Sequence, residues 1–212
     1  MKILALVSLF FFVVSCNAGN ESTRTIKVLD QSSTDTNNYQ VAYFAAGCFW
    51  CVEMIFESVK GVQEVVVGYS GGSENNATYE KVSKGLTHHA EAVAVYYDST
   101  IIDYPTLLVV FFASHDPTTL NQQGPDKGRQ YRSVIFYTSP EEKKKVNTYI
   151  NQLLEDRVFD EITTTVVAYE AFYPAEDYHQ DYEKKNPENP YVKKISVPRL
   201  ENFKKKHPEL LK

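Results

Sequence analysis

The chain has 212 residues, with 22 Lys and Arg against 27 Asp and Glu, and 43% of its residues are hydrophobic. Its 15 tyrosines and 12 phenylalanines exclude a disordered chain, and its three cysteines are too few for a disulfide scaffold. The net charge of −5 argues against nucleic-acid binding, which needs a basic face. The length predicts one domain that buries a sizeable core.

The first fifteen residues have the pattern of a secretory signal peptide. Lys2 is followed by an apolar run over residues 3–14, which is too short to span a bilayer. The run ends at Val13-Val14-Ser15-Cys16, which resembles a bacterial lipobox. We therefore expect cleavage before Cys16 and a lipid on that cysteine, in an extracytoplasmic protein that meets the membrane only through this anchor. An ordinary signal peptide cleaved near Ala18, or an uncleaved anchor, is the alternative.

Composition divides the rest of the chain into three parts. Residues 16–38 are rich in Ser, Thr, Asn and Asp, which is typical of a flexible tether. Residues 39–192 carry the periodic apolar patterns of a folded domain. Residues 193–212 are rich in Lys and Pro, and we interpret them as a C-terminal tail.

Hydrophobic periodicity predicts alternating strands and helices in the domain. The predicted strands cover residues 41–46, 62–69, 90–97, 132–138 and 163–169, and the predicted helices cover 48–59, 78–84, 105–114, 140–154 and 177–185. The second and third strands are separated by only a short helix, so the order is βαββαβ followed by αβ. This order predicts an α+β, two-layer sandwich with a ferredoxin-like split βαβ core.

Cys48 is predicted to lie just inside the first helix, directly after the first strand. Backbone N–H groups are unpaired at a helix N-terminus and the helix dipole is positive there, so we expect a lowered pKa for this thiol. A thiolate is a nucleophile and can be oxidised to a sulfenic acid. Cys51 follows one helical turn later, which makes the two sulfurs potential neighbours.

The C-x-x-C pattern by itself leaves several interpretations open. The two cysteines could be small buried apolar residues, and a zinc site would need two more ligands. A thioredoxin-type redox pair is the strongest rival because it also begins a helix after a strand. The intervening Phe49 and Trp50 favour the wall of a small apolar pocket beside a nucleophile, with plain core packing as the alternative.

Five ordered motifs decide between these interpretations. The segment Gly47-Cys-Phe-Trp-Cys-Val-Glu53 resembles the GCFW signature of the peptide methionine sulfoxide reductase A family. Four further motifs resemble that family in the same order: VGYSGG at 67–72, TYE at 78–80 with HAEAV at 89–93, HDPT at 115–118 with QYRS at 130–133, and FY at 172–173 with AEDYHQ at 175–180. The resemblance covers about residues 41–191.

The resemblance implies an enzyme that reduces the S epimer of methionine sulfoxide in proteins, and also as the free amino acid, without metal or organic cofactor. It implies that Cys48 attacks the sulfoxide sulfur and that Glu91 protonates the sulfoxide oxygen. This role requires a carboxyl that stays protonated, and therefore one that is at least partly buried.

The remaining site residues are also assigned by the resemblance. It implies that the hydroxyls of Tyr79 and Tyr131 hydrogen-bond the oxygen as charge develops on it. It places Asp126 near the site and uses Phe49 and Trp50 to hold the substrate methyl group.

The chain departs from the family at the second cysteine. Many members have Gly at the position of Cys51 and a resolving cysteine near the C-terminus, whereas this chain has no cysteine after Cys51. We therefore expect Cys51 to resolve the sulfenic acid of Cys48, and thioredoxin or a thioredoxin-like partner to reduce the resulting disulfide.

Two other functions remain in competition at this point: a thioredoxin-like oxidoreductase acting on protein disulfides, and a non-catalytic surface lipoprotein that binds a partner through aromatic residues. We do not expect a metal site or a nucleic-acid partner. The histidines are interpreted as loop or site-shaping residues: His88, His89, His115 and His179.

Overall fold

The computed structural model describes residues 39–72 and 77–212. Its strands are β1 (Tyr39–Ala46), β2 (Val62–Ser70), β3 (Ala90–Asp98), β4 (Gln122–Gln123), β5 (Asp126–Lys127), β6 (Ser133–Tyr137), β7 (Thr165–Ala168) and β8 (Phe172–Pro174). Its α-helices are α1 (Phe49–Glu57), α2 (Tyr79–Ser83), α3 (Tyr104–Ser114), α4 (Pro140–Glu155), α5 (Tyr182–Lys185) and α6 (Val197–Lys206). The predicted signal peptide, lipobox cysteine and tether lie outside the described residues.

Six of the strands form one sheet in the order β7-β6-β1-β3-β2-β8. β3 lies between β1 and β2 and is antiparallel to both, so the β1-α1-β2 unit is a split βαβ motif. β6 is antiparallel to β1 on its other side and parallel to β7. The predicted α+β class and its ferredoxin-like core are confirmed, and β7 and β8 extend that core at its two edges.

The main hydrophobic core lies between the sheet and the helices α1 and α3, which contact each other and β1. Phe44 of β1 is fully buried there, with its ring 5.3 Å from Phe56 of α1 and 5.2 Å from Phe111 of α3. The opposite face of the sheet buries small residues beneath Tyr43 and Tyr169, whose rings stack 4.1 Å apart. These contacts fix the position of α1 against the sheet.

A single glycine makes the junction between β1 and α1. Gly47 has φ +83, a region that side-chain-bearing residues rarely adopt, and a Cβ there would lie 2.6 Å from the Cβ of Gln123. The tight turn leaves Cys48 as the N-cap residue of α1, one position before the helix and not inside it as predicted. This turn fixes the position of the Cys48 sulfur at the C-terminal end of β1.

The C-terminal residues differ from the sequence prediction. Residues 193–212, expected to form a tail, continue from a π-helical turn (Val192–Ser196) into α6, where Phe203 is fully buried and Leu200 is 9% exposed. The end of the chain adds backbone contacts to the residues after α1, including Lys212 N–H to the Ser58 carbonyl at 3.0 Å. The segment is therefore part of the folded domain. Its many lysines made its few buried apolar residues hard to recognise in the sequence.

Short elements were also missed, because β4, β5 and β8 have only two or three residues each and carry no readable period. None of the helices within residues 39–72 and 77–212 combines the length and apolar character needed to cross a membrane.

Candidate active site

Cys48 and Glu91 lie in one site at the N-terminus of α1. The backbone N–H of Phe49, the first residue of α1, donates to the Glu91 carboxylate at 3.1 Å. Cys48 is 6% exposed and Glu91, from the start of β3, is 2% exposed. The turn at Gly47 and the antiparallel pairing of β1 with β3 thus bring a thiol and a carboxyl from distant parts of the chain together.

The Glu91 carboxyl is a proton donor at neutral pH. Burial raises its pKa to about 8, and the charges of Asp126 and Cys51 act in the same direction. The hydrogen bond from the Phe49 N–H opposes the shift without cancelling it. A carboxyl in this state can give a proton to an oxygen on which negative charge develops.

Tyr79, Tyr131 and Asp126 surround the same pair. Burial raises the pKa of Tyr79 to about 12, and the neighbouring Glu91 and Cys48 add to this shift. The pKa of Tyr131 is raised by burial and by the same two groups together with Asp126. Both phenols therefore keep their protons over the physiological range and remain available as hydrogen-bond donors.

Aromatic side chains form a wall beside the thiol. The Trp50 ring stacks on Tyr182 at 3.8 Å, and its indole N–H donates to His179 Nδ1 at 3.2 Å. His179 in turn lies 4.2 Å from the Tyr79 ring and 5.2 Å from the Phe49 ring. Since its Nδ1 accepts a hydrogen bond, a neutral His179 carries its proton on Nε2. The wall suits an apolar methyl group.

Cys51 is fully buried on the side of α1 that faces the C-terminal segment. Its sulfur lies 3.1 Å from Ser196 Oγ and 4.0 Å from the hydroxyl of Tyr191, which donates to Asp126 at 2.5 Å. Cys48 and Cys51 are both free thiols. The second cysteine is thus held by residues that the sequence prediction had placed at or beyond the domain boundary.

The two thiols differ in acidity, and the difference corrects the sequence prediction. Burial raises the pKa of Cys48 well above its usual value, with further increases from Cys51, Glu91 and Asp126. The hydrogen bond from Cys48 lowers the pKa of Cys51 to about 6, against burial and with help from Arg199. Burial among acidic groups therefore outweighs the favourable helix end at Cys48.

All the predicted site residues within the described ranges meet in this one neighbourhood: Cys48, Phe49, Trp50, Cys51, Tyr79, Glu91, Asp126 and Tyr131. Sequence reasoning missed the group around Cys51: Glu183, Tyr191, Ser196 and Arg199. The apolar positions Val192, Leu200 and Phe203 were the available signal that this segment is packed onto the domain.

Three carboxylates form an acidic cluster on the other side of α1, where ligand atoms of Glu53, Glu57 and Asp181 lie within 4.8 Å of one another. Lys184 bridges Glu57 at 2.7 Å and Asp181 at 2.8 Å, and Glu53 accepts the backbone N–H of Asp181 at 2.9 Å. The cluster is largely satisfied by these protein groups.

A buried acid, a pair of neighbouring thiols and an aromatic wall on a ferredoxin-like sheet define a thiol-dependent oxidoreductase. Comparison with known proteins specifies the family. The model of the peptide methionine sulfoxide reductase family matches residues 40–211.

Similar proteins agree with this match. Peptide methionine sulfoxide reductase MsrA 2 of Synechocystis is 49% identical over 182 residues, covering 85% of each chain. The reduced form of Mxr1 from Saccharomyces cerevisiae superposes with a TM-score of 0.68 at 34% identity, over 74% of this chain and 91% of Mxr1. Methionine sulfoxide reductase A of Corynebacterium diphtheriae gives a TM-score of 0.64 at 34% identity, over 72% of this chain and 77% of that one.

The chain therefore belongs to the peptide methionine sulfoxide reductase family, and it is an oxidoreductase that reduces methionine sulfoxide. The family model extends to residue 211, which agrees with the packed C-terminal segment.

Proposed function

We propose that the enzyme reduces the S epimer of methionine sulfoxide with Cys48 as nucleophile, Glu91 as acid and Cys51 as resolving thiol. The observation that carries this proposal is the contact between the start of α1 and Glu91, because it puts a neutral carboxyl against the residue that directly follows Cys48.

The first step transfers one oxygen atom. The Cys48 sulfur attacks the sulfoxide sulfur while Glu91 gives its proton to the sulfoxide oxygen, with Tyr79 and Tyr131 as further donors to that oxygen. The S–S bond formed by the attack breaks as the hydroxyl group passes from the substrate sulfur to the Cys48 sulfur, so the sulfide leaves and Cys48 becomes a sulfenic acid. The former thiol proton of Cys48 restores Glu91. Phe49 and Trp50 contact the methyl group of the substrate.

The second step forms a disulfide. The Cys51 thiolate attacks the sulfenic sulfur of Cys48, the S–O bond breaks, and the hydroxide leaves as water with a proton from Glu91. The supporting observation is that the two sulfurs are close enough to shift each other's pKa, upward at Cys48 and downward at Cys51.

The third step needs an external dithiol, and we propose a thioredoxin-type protein. Yeast Mxr1 has been crystallised in complex with Trx2. Reduction by a dithiol returns two hydrogen atoms, one to Cys48 and one to Glu91, and leaves Cys51 as a thiolate.

Cys51→Ser tests the assignment of the resolving thiol. The variant is expected to release one methionine per enzyme at the wild-type rate and then to stop, because the sulfenic acid of Cys48 has no internal partner. Methionine release is followed with and without thioredoxin and its reductase. Cys16→Ser is the control and is expected to cycle normally. Normal cycling by Cys51→Ser would disprove the role of Cys51.

The stereochemical preference has a separate test. Equal amounts of methionine S-sulfoxide and R-sulfoxide, free and within a peptide, are offered to the reduced enzyme. We expect consumption of the S epimer in both forms, and equal consumption of the two epimers would contradict the proposal.

We also propose that the chain is an extracytoplasmic lipoprotein with Cys16 as its lipidated residue, on the strength of the apolar run and the Val-Val-Ser-Cys sequence. Expression of the full chain in bacteria supplied with a labelled fatty acid is expected to label the wild type and Cys48→Ser, but not Cys16→Ser. Equal labelling of Cys16→Ser, or no labelling of the wild type, would contradict the anchor.

A further inference from the structure

The C-terminal segment places two hydroxyl groups against the Cys51 sulfur. Ser196 is fully buried, and its Oγ lies 3.1 Å from the Cys51 sulfur. The hydroxyl of Tyr191 approaches the same sulfur at 4.0 Å. A buried hydroxyl pointed at a thiol costs desolvation free energy unless it makes that contact, so the contact is a specific feature of this site.

The backbone places Ser196 by an unusual turn. Residues 192–196 form a π-helical turn that leads directly into α6. Such turns are rare and occur frequently at functional sites, because the inserted residue shifts the side chains that follow. Here the turn brings Ser196 inward against α1.

A fixed positive charge lies behind this contact. Arg199, one turn after Ser196, donates to the carbonyl oxygens of Ala46 at 2.9 Å and Ser114 at 2.5 Å. These bonds hold the guanidinium at the β1–α1 junction, where its charge favours the ionised form of Cys51. The charge is immobile because two different elements fix it.

The two buried acids near Cys51 carry little negative charge at pH 7, so they do not neutralise the positive charge of Arg199. Glu183 of α5 is 5% exposed, and neither of its carboxyl oxygens meets a partner at hydrogen-bonding geometry among the described residues. Burial and the charge of Cys51 raise the pKa of Glu183 to about 8, although Ser196 and Arg199 both act to lower it, and burial raises the pKa of Glu91 to about 8. Both are therefore mainly neutral at pH 7 and do not compensate Arg199.

The two other titratable groups facing Cys51 keep their protons. Burial raises the pKa of Cys48, from the N-cap of α1, and that of Tyr191, which precedes the π-helical turn. The Cys48 thiol can therefore donate a hydrogen bond to a negatively charged Cys51 sulfur, whereas the Tyr191 proton is already donated to Asp126, and neither group competes with Cys51 as an anion.

We propose that Ser196 is a positioning residue for the resolving step: its hydroxyl donates to the Cys51 sulfur and, with Arg199 behind it, holds that sulfur facing Cys48 and balances its negative charge. This inference rests on the proposed function, in which Cys51 attacks the sulfenic acid of Cys48.

The chemistry of the step balances with these groups. The Cys51 thiolate forms the S–S bond with Cys48, the S–O bond of the sulfenic acid breaks, and Glu91 supplies the proton that makes the leaving hydroxide into water. Ser196 keeps its own proton throughout. Its hydrogen bond is lost as the charge on Cys51 disappears, so it acts on the reactant thiolate.

Ser196→Ala tests the proposal in the full chain, with one equivalent of methionine S-sulfoxide and no external dithiol. Methionine release reports the first step, and mass spectrometry of the peptide carrying Cys48 and Cys51 reports the disulfide. We expect methionine release at the wild-type rate, and disulfide formation slowed about tenfold at pH 7, which corresponds to the loss of one hydrogen bond to a charged group.

The pH profile separates this role from a structural one. Without the Ser196 hydroxyl the Cys51 thiolate is less stable, so the rate of disulfide formation should require higher pH and approach the wild-type rate near pH 9. Ser196→Thr keeps the hydroxyl and should restore the profile. Ser70→Ala removes another buried serine hydroxyl, which donates to the Ala171 carbonyl at 2.7 Å, and should leave both steps unchanged.

The outcomes are distinct. A wild-type disulfide rate and pH profile in Ser196→Ala would overturn the role of Ser196 and leave the proposed function intact. Loss of methionine release in Ser196→Ala would show a structural role and would also overturn it. Normal cycling by Cys51→Ser would instead overturn the proposed function itself.

Discussion

The two cysteines of the active site lie one helical turn apart but belong to differently built regions. The region around Cys48 is made of Glu91, Tyr79 and Tyr131, which come from the centre of the chain and lie within recognisable motifs. The region around Cys51 is made of the C-terminal segment, which has no motif and was interpreted as a tail. Burial among acids keeps the first thiol protonated, whereas hydrogen bonds and Arg199 make the second more acidic. Proximity in sequence therefore does not give two thiols the same chemistry.

Removing the acid should have the largest effect, and it should be confined to the Cys48 region. Glu91→Gln is expected to slow methionine release in a single turnover by about 10²–10⁴-fold, because the leaving oxygen loses its proton donor. Rapid-quench measurement of methionine gives the rate. Glu53→Gln is the matched control, since Glu53 is also buried with a pKa of about 8 but lies in the acidic cluster. A comparable loss in both variants would contradict a specific role for Glu91.

The same group gives a pH dependence with a defined sign. The proposed first step uses the acid form of Glu91, so it should become slower as pH rises through about 8. The pKa of Glu91 is also higher in the folded than in the unfolded protein, so its contribution to stability is complete below about pH 4.5 and is lost as pH rises through 8. Glu91→Gln should therefore flatten the decline in unfolding free energy between pH 5 and pH 9, as measured by urea denaturation. An unchanged slope would contradict the raised pKa.

The C-terminal region should prove essential to stability. Phe203 is fully buried, and Phe203→Ala is expected to lower the unfolding free energy by about 3–5 kcal/mol. Val197, which is 40% exposed in the same helix, provides the control, and Val197→Ala should change the unfolding free energy by less than about 1 kcal/mol. Chemical denaturation measures both. Equal effects would mean that α6 is not packed on the domain as described.

A smaller effect is expected at the hydroxyls that are proposed to bind the sulfoxide oxygen. Tyr79→Phe should slow the first step about tenfold, because one hydrogen bond to a developing charge is lost while Tyr131 keeps the other. Tyr178→Phe, at a side chain that is 58% exposed, should have no effect. A slowed disulfide step in Tyr79→Phe, with the first step unchanged, would contradict the separation of the two regions.

The fold was predictable wherever an element is long enough to carry a recognisable apolar pattern. Val65 to Val67 marked β2, and the alternation of short and long connections produced the split βαβ core. The edge strand β8 was not predictable, because three residues have no period of their own and pair only with β2. Residues 193–212 were wrongly interpreted as a tail because lysines dominate their composition. The buried residues Leu200 and Phe203 pack this segment onto the domain.

The sequence by itself indicated the family and the residues proposed as nucleophile and acid, because five ordered motifs carry the residue types that the reaction requires. Only the tertiary structure decided the ionisation of the two thiols and the residues that hold Cys51. The physical reason is that a pKa depends on burial and on the charges and hydrogen bonds within a few ångströms. At Cys51 these come from Ser196 and Arg199, about 145 residues further along the chain, and packing alone brings them to α1.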